Sequence, residues 1–293
     1  MNLKRIVVIG DVMLDVIVQP TQSVAPTSDT PSNVSLGRGG SGANVAVALA
    51  HYGHEVIYVG VVGNDFAGQL FADELVQSGV TPQLTIGAGP TGVVVSLVAP
   101  DGQRAMMTDR GVNEQLTVDH VATVLEEPLD HLHVSGYTLL DDVTRPIGSA
   151  ALEMARSKGA TTSVDVCSVG PLARVGAAVF LDAAMPVSML FANAEEALML
   201  SGEHDAQTAA IELSPSFDEV LVTLGREGAL AVSAGAVHRQ ASRSVDVLDT
   251  TGAGDAASGA YLAHRIAGAS IDDSLVAAMD AAAVVVRGLG SRG

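Results

Sequence analysis

The chain of 293 residues is 48% hydrophobic, enough for a large core, and its 33 acidic against 15 basic residues give a net charge of −18. That acidity disfavours nucleic acid and anionic membranes as partners, and Cys167, the only cysteine, excludes an internal disulfide and a cysteine-rich metal cluster. The two lysines, Lys4 and Lys158, lie outside any GxxxxGK[ST] pattern, which excludes a standard P-loop.

The apolar run at 6–9 predicts a buried strand, and the start MNLKRIVVIGD is too short in its apolar part for a signal peptide. Strand-like runs within 16–36 follow, with no helix between them. A helix over 44–51, a strand over 56–61 and a helix over 66–77 come next. Residues 84–110 again carry strand signals between Pro- and Gly-rich turns. Further on, the alternation resumes with a strand at 131–135, a helix at 144–158 and strands at 161–166 and 189–192. A helix at 194–201, a strand at 219–222, a helix at 254–267 and a second helix over 268–286 complete the chain. Strands alternating with helices predict a doubly wound α/β fold, a mostly parallel sheet flanked by helices, spanning 1–293 as a single domain. The two stretches without helices, about 16–36 and 84–110, predict a small antiparallel sheet lying over the pocket as a lid. No apolar run reaches membrane-spanning length, since Asp280 interrupts the last helix, and a soluble cytoplasmic protein is expected.

The chemistry concentrates where an apolar stretch runs into Asp249-Thr250-Thr251-Gly252-Ala253-Gly254-Asp255 and turns helical. Small residues allow successive N–H groups to converge on an anion at a helix start, where unpaired donors and the dipole favour negative charge. Asp255 would stay ionised there and could take a proton from a hydroxyl while the amides steady a transferring phosphoryl group. On these residues alone, helix capping and a GxGxxA dinucleotide fingerprint compete with that reading. A second glycine-rich segment, Gly39-Gly40-Ser41-Gly42-Ala43-Asn44, precedes an Ala-rich helix and suits close approach of backbone to a small polyol. Arg38, Arg104 and Arg110 lie in or beside the glycine platform and lid. One of them could pair with a carboxylate or phosphate on an acidic sugar, although exposure to solvent is the rule for arginine. The closest histidine pairs, His51 with His54 and His131 with His133, lack a third ligand at metal spacing and read as structural, and Cys167 reads as a small core residue.

Five segments in order, GDVMLD, GGSGAN, NAEE, TLGREG and DTTGAGD, make the whole chain resemble the PfkB-type, ribokinase-like carbohydrate kinases. The resemblance implies ATP-dependent phosphorylation of a hydroxyl of a small monosaccharide or sugar acid, with Asp255 as base and Gly252, Ala253 and Gly254 as anion hole. Asp15, Gly39, Gly40 and Asn44 match sugar-contacting positions, and Arg104 is a candidate beside them. Asn193 and Glu196 match an NxxE element that organises magnesium and phosphates, Glu196 through water; the same spacing is that of a capping box. Thr223, Gly225 and Gly228 match a stretch beside the nucleotide, and Asp249 and Thr251 match positions that hold a monovalent cation, K+, through backbone oxygens. In this family lids also pair between subunits, which implies a homodimer. A nucleoside kinase on the same scaffold and a non-catalytic sensor that kept the fold are the alternatives.

Overall fold

The computed structural model describes residues 3–99, 104–185 and 187–288. They begin with β1 (Arg5–Ile9), β2 (Met13–Pro20), β3 (Ser32–Gly39), α1 (Ser41–His51), β4 (Glu55–Val62), α2 (Phe66–Gln77) and β5 (Val80–Ile86). Next come β6 (Gly92–Val98), β7 (Arg104–Asp109), a 3-10 turn at Gly111–Gln115, α3 (Val118–Leu125), β8 (His131–Ser135), α4 (Gly136–Leu139) and α5 (Arg145–Ser157). After these follow β9 (Thr161–Asp165), α6 (Val169–Val175), α7 (Ala177–Ala184), β10 (Met189–Asn193), α8 (Ala194–Ser201) and α9 (Ala206–Leu213). The described chain ends with β11 (Glu219–Thr223), β12 (Ala229–Ser233), β13 (Ala236–Gln240), α10 (Ala253–Ile266) and α11 (Ile271–Val285).

Nine strands form the large sheet in the order β13-β12-β11-β10-β9-β8-β1-β4-β5. Every neighbouring pair from β11 to β5 is parallel, and β12 and β13 close one edge antiparallel. The alternation of side chains explains why its strands read as continuous apolar runs. Val7 and Ile9 face one core with α3, α5 and α7, while Ile6 and Val8 face the other with α1, α2, α10 and α11. The chain leaves β1 for β4 and β5 on one side and returns to β8 on the other. The resulting topological switch lies between β1 and β8 and opens a crevice at the carboxyl ends of the strands. Among the described residues, no helix is long and apolar enough to cross a membrane.

The predicted lid is a separate sheet in the order β3-β2-β6-β7. It consists of two antiparallel hairpins, β2 with β3 and β6 with β7, joined by a parallel β2–β6 pair. Its limits differ from expectation. Strand β2 begins at Met13 and β3 runs on to Gly39, because both lead directly into the crevice. Residues 84–86 belong to β5 of the large sheet, where Leu84 pairs with Gly60, so the second hairpin starts only at Gly92. Asn113, in the 3-10 turn after β7, staples that turn to the link between β1 and β2, since its side chain accepts from the Val12 amide at 2.7 Å and donates to the Val12 carbonyl at 2.9 Å.

The histidines of β8 are buried and bonded within the sheet. His131 lies 2.7 Å from Thr161 Oγ1 and 2.8 Å from Ser163 Oγ, and His133 Nδ1 lies 2.8 Å from the same Ser163 oxygen. Burial pulls both imidazoles down to about 3, from an ordinary value of 6.5. Between those limits the unfolded chain binds protons that the folded chain refuses, so the stability is present above pH 6.5 and is lost as pH falls. Denaturant titrations should show unfolding free energy declining by ~1.4 kcal/mol per pH unit per histidine below pH 6.5. A His131→Gln/His133→Gln pair should flatten that slope; an unchanged slope in the pair would place its origin elsewhere.

Candidate active site

A cleft opens at the carboxyl ends of the strands, lined by Asp165 of β9, Cys167 beyond it, Ala192 and Asn193 of β10, Glu196, Thr223, Gly254, Asp255 and Ser258. Asp255 enters it from the first turn of α10. That helix starts at Gly252, whose left-handed backbone (φ 75°) turns the chain into the helix and which supplies no side-chain cap. The Ala253 amide turns back onto the Thr250 carbonyl at 3.3 Å, whereas Gly254 and Asp255 line the cleft. Helix α10 lies close on α1 because Gly259 carries no Cβ. A methyl there would come within 2.5 Å of Ala48 Cβ.

This close packing delivers two α1 side chains to Asp255. Ser41 Oγ donates to its Oδ1 at 2.7 Å and Asn44 Nδ2 donates to its Oδ2 at 2.8 Å. Arg38 Nη1 in turn donates to Asn44 Oδ1 at 2.9 Å. Burial raises the Asp255 carboxyl above its ordinary value, while the hydrogen bonds from Asn44 and Ser41 and the Arg38 charge pull it down. The helix N-terminus alone suggested no upward shift; desolvation outweighs it.

Across the cleft from Asp255, Asn193 and Glu196 form a capping box at the start of α8. The Asn193 amide donates to Glu196 Oε2 at 2.8 Å and the Glu196 amide to Asn193 Oδ1 at 2.9 Å. Burial raises the Glu196 carboxyl, the Asn193 amide opposes that, and the charge of Asp255 adds to it. Burial likewise pushes Asp165 well up, reinforced by Glu196 and Asp255. Among the described residues no cluster of three or more His, Cys, Asp or Glu is arranged to hold a metal. Asn193 and Glu196 both line the cleft, and two such oxygen donors suit an ion that keeps its own water.

The residues expected to bind the acceptor stand on the small sheet and at its junction with α1. Asp15 sits on β2 opposite Gly37, and its carboxyl leans over the Gly39 backbone so closely that a Cβ at Gly39 would fall 2.0 Å from Oδ1. Gly40 (φ 98°) is the N-cap of α1. We expect Gly39→Ala to displace the Asp15 carboxylate and raise acceptor KM by about tenfold or more, with little change in the melting temperature. Steady-state kinetics would check this, and an unchanged KM would remove Asp15 from acceptor binding.

Several residues stand differently from expectation. Arg38 is buried rather than solvated, and Arg110 is partly buried and paired with two carboxylates. Arg110 Nε and Nη2 each donate to Asp11 at 2.8 Å, and Nη1 pairs with Asp141 at 2.5 Å. Arg104 has its backbone in β7 opposite Val98, and its side chain lies outside the described residues. Cys167 is not a core residue; it lines the cleft in a left-handed conformation (φ 71°), 3.3 Å from Ser135 Oγ and 3.5 Å from Ser41 Oγ. Thr223 lines the cleft, while Gly225 and Gly228 shape the β11–β12 hairpin, closed by the Leu224 amide on the Gly228 carbonyl at 2.7 Å. Asp249 is buried below the α10 junction, with Oδ1 accepting from the Thr251 amide at 2.6 Å. Sequence reasoning missed Ser41 as a partner of Asp255, Asp165 as a lining residue, and Asp11 and Asp141 as partners of Arg110. Only the position of Asp11 at the end of β1 carried a signal.

The profile of the family described as pfkB family carbohydrate kinase matches residues 3–293. An ATP-dependent ribose-1-phosphate kinase of Halopiger xanaduensis is 29% identical over 280 residues, which cover 92% of this chain and 88% of that protein. A ribokinase of Haemophilus influenzae is 24% identical over 301 residues, covering 99% of this chain and 94% of that one. Among solved structures, an adenosine kinase from Sinorhizobium meliloti superposes with a TM-score of 0.88 at 25% identity, covering 99% of this chain and 96% of that chain.

Proposed function

Because the chain belongs to the pfkB family of carbohydrate kinases, we infer that it transfers the γ-phosphoryl group of ATP to a hydroxyl of a small monosaccharide or sugar acid. The observation that carries this reading is the Asp255 carboxylate, held by two donors at the mouth of α10 and facing a cleft that also holds Asn193, Glu196 and Thr223. In the reaction the acceptor O–H gives its proton to Asp255 while its oxygen forms a bond to the γ-phosphorus. The bond to the bridging oxygen breaks, and ADP leaves. The backbone donors at Gly252, Ala253 and Gly254 would take the charge growing on the transferring group, with Gly254 the best placed and Ala253 partly occupied by Thr250.

Asp15 and the Gly39-Gly40 backbone would bind acceptor hydroxyls, Asn44 would offer the amide hydrogen that Asp255 does not use, and Arg104 would add a donor from the lid. Thr223, Gly225 and Gly228 would run beside the nucleotide. Glu196 and Asn193 would hold magnesium through water, and the ion would neutralise phosphate charge. A K+ ion on backbone oxygens of Asp249 and Thr251 belongs to the same reading, supported by the fixed turn that the Asp249 carboxylate imposes on the Thr251 amide. The reading also places the enzyme in the cytoplasm and pairs two copies through the lid. Register puts Val16, Val18, Val34, Leu97 and Met107 on one face of the small sheet and Asp15 on the other, which supports an apolar outer face for that pairing.

A nucleoside acceptor is a second reading, favoured by the likeness to an adenosine kinase structure. ADP formation measured with ATP and magnesium across sugars, sugar acids and nucleosides separates the two. Saturation by a sugar or sugar acid supports the first, saturation by a nucleoside alone supports the second, and binding without turnover would point to a sensor.

A further inference from the structure

Asn44 sits between a donor-only cation and an acceptor-only anion, so its orientation is dictated by chemistry. A guanidinium cannot accept a hydrogen bond and an ionised carboxylate cannot donate one. The atom facing Arg38 Nη1 at 2.9 Å must therefore be Oδ1, and the atom facing Asp255 at 2.8 Å must be Nδ2. On the other oxygen of Asp255, Ser41 spends its single hydroxyl hydrogen at 2.7 Å. The Cys167 thiol lies 3.5 Å from Ser41 Oγ on the far side, and burial pushes it well up, so it stays a thiol and adds no anion to compete for that hydrogen.

We propose that Ser41 and Arg38 are positioning residues that clamp the two oxygens of Asp255, Ser41 directly and Arg38 by fixing the Asn44 amide. The clamp rests on Asp255 being the base and goes further, because it assigns the device that sets where the base points. With one donor on each oxygen, the carboxylate cannot rotate without losing a charge-assisted hydrogen bond, and its free lone pairs are aimed into the cleft. The same donors favour the ionised form against burial and against the carboxylates of Asp165 and Glu196 across the cleft. Tyr137, whose hydroxyl burial pushes up, also faces Asp255, with Cys167 beside it. Neither Ser41 nor Arg38 need touch the acceptor for this role.

Ser41→Ala should lower kcat about tenfold to a hundredfold, the worth of one charge-assisted hydrogen bond, while KM for ATP stays within about twofold. Alanine suits the first turn of α1, so the melting temperature should hold. Ser41→Thr, which keeps the hydroxyl, should restore most of the activity. Arg38→Met should lower kcat in the same direction, because the Asn44 oxygen then loses the donor that anchors it and the hydrogen bond from Nδ2 to Asp255 loosens. A kcat for Ser41→Ala within twofold of the native protein would overturn the clamp, as would an equal loss in Ser41→Thr. Turnover need not be the only witness. The Asp255 carboxyl, read by carbon-13 NMR as the signal missing in Asp255→Asn, should titrate at higher pH in Ser41→Ala than in the native protein. Equal midpoints would overturn the clamp even if no acceptor were found, whereas a native protein inert toward every acceptor would refute the kinase reading and leave that titration to decide the clamp.

Discussion

Asp255→Asn is expected to lower turnover about 10²–10⁴-fold, the span of a lost general base, with nucleotide binding retained or tightened. The carboxylate is the only group in the first turn of α10 that can take the acceptor proton. It also receives hydrogen bonds from both Ser41 and Asn44. An amide at this position can accept from Asn44 through its oxygen, but its NH2 group then donates to Ser41, whose hydroxyl must turn round to accept. The variant therefore loses the base and disturbs the clamp together, although its volume is unchanged. Nucleotide binding should survive, since removing a negative charge from a cleft that also holds Glu196 and Asp165 favours phosphates. Calorimetric titration with ATP and magnesium beside steady-state kinetics would check both halves; turnover within tenfold of the native protein would exclude Asp255 as the base.

The largest expected loss of stability comes from Arg265→Met. Arg265, near the end of α10, donates through Nε to both oxygens of Glu219 at 3.0 Å and through Nη2 to Oε1. Tyr261 adds a hydrogen bond to Oε2 at 2.8 Å, and Glu219 itself is buried at the start of β11. Removing the guanidinium leaves a buried carboxylate with the tyrosine alone, which costs about 3–5 kcal/mol. A lower denaturation midpoint with unchanged slope would show this. Adding Glu219→Gln should recover part of the loss because the stranded charge is gone. The pair pins the far end of the helix whose first turn carries Asp255, so loss of stability and loss of activity should separate. Arg265→Met should keep its kcat below the melting transition.

The α/β alternation was legible because parallel strands buried on both faces read as apolar runs, and residues 6–9, 131–135 and 161–166 each fell on or within a residue of an observed strand. The small sheet was legible in kind but not in extent. Nothing in the local pattern distinguishes residues 84–86, which extend β5, from the strand that starts at Gly92. Glycine-rich junctions marked where Asp255 and Asn44 stand, since the turns demand small residues there. What remained hidden were partners set by packing between distant elements: Ser41 against Asp255 through the α1–α10 contact, Arg110 between Asp11 and Asp141, and Cys167 turned into the cleft. Arg38 and Arg110 look alike in sequence, and only the fold shows that each is committed to side chains of this chain. The capping box at Asn193 and Glu196 shows that a structural role and a place in the cleft are compatible in the same pair.

Phosphorus NMR of the native protein with ATP, magnesium and a sugar or sugar acid that stimulates ADP formation tests the transfer itself. The expected result is a new phosphomonoester resonance growing in step with ADP and absent with Asp255→Asn. Growth of inorganic phosphate alone, with no phosphorylated acceptor, would contradict phosphoryl transfer to an alcohol.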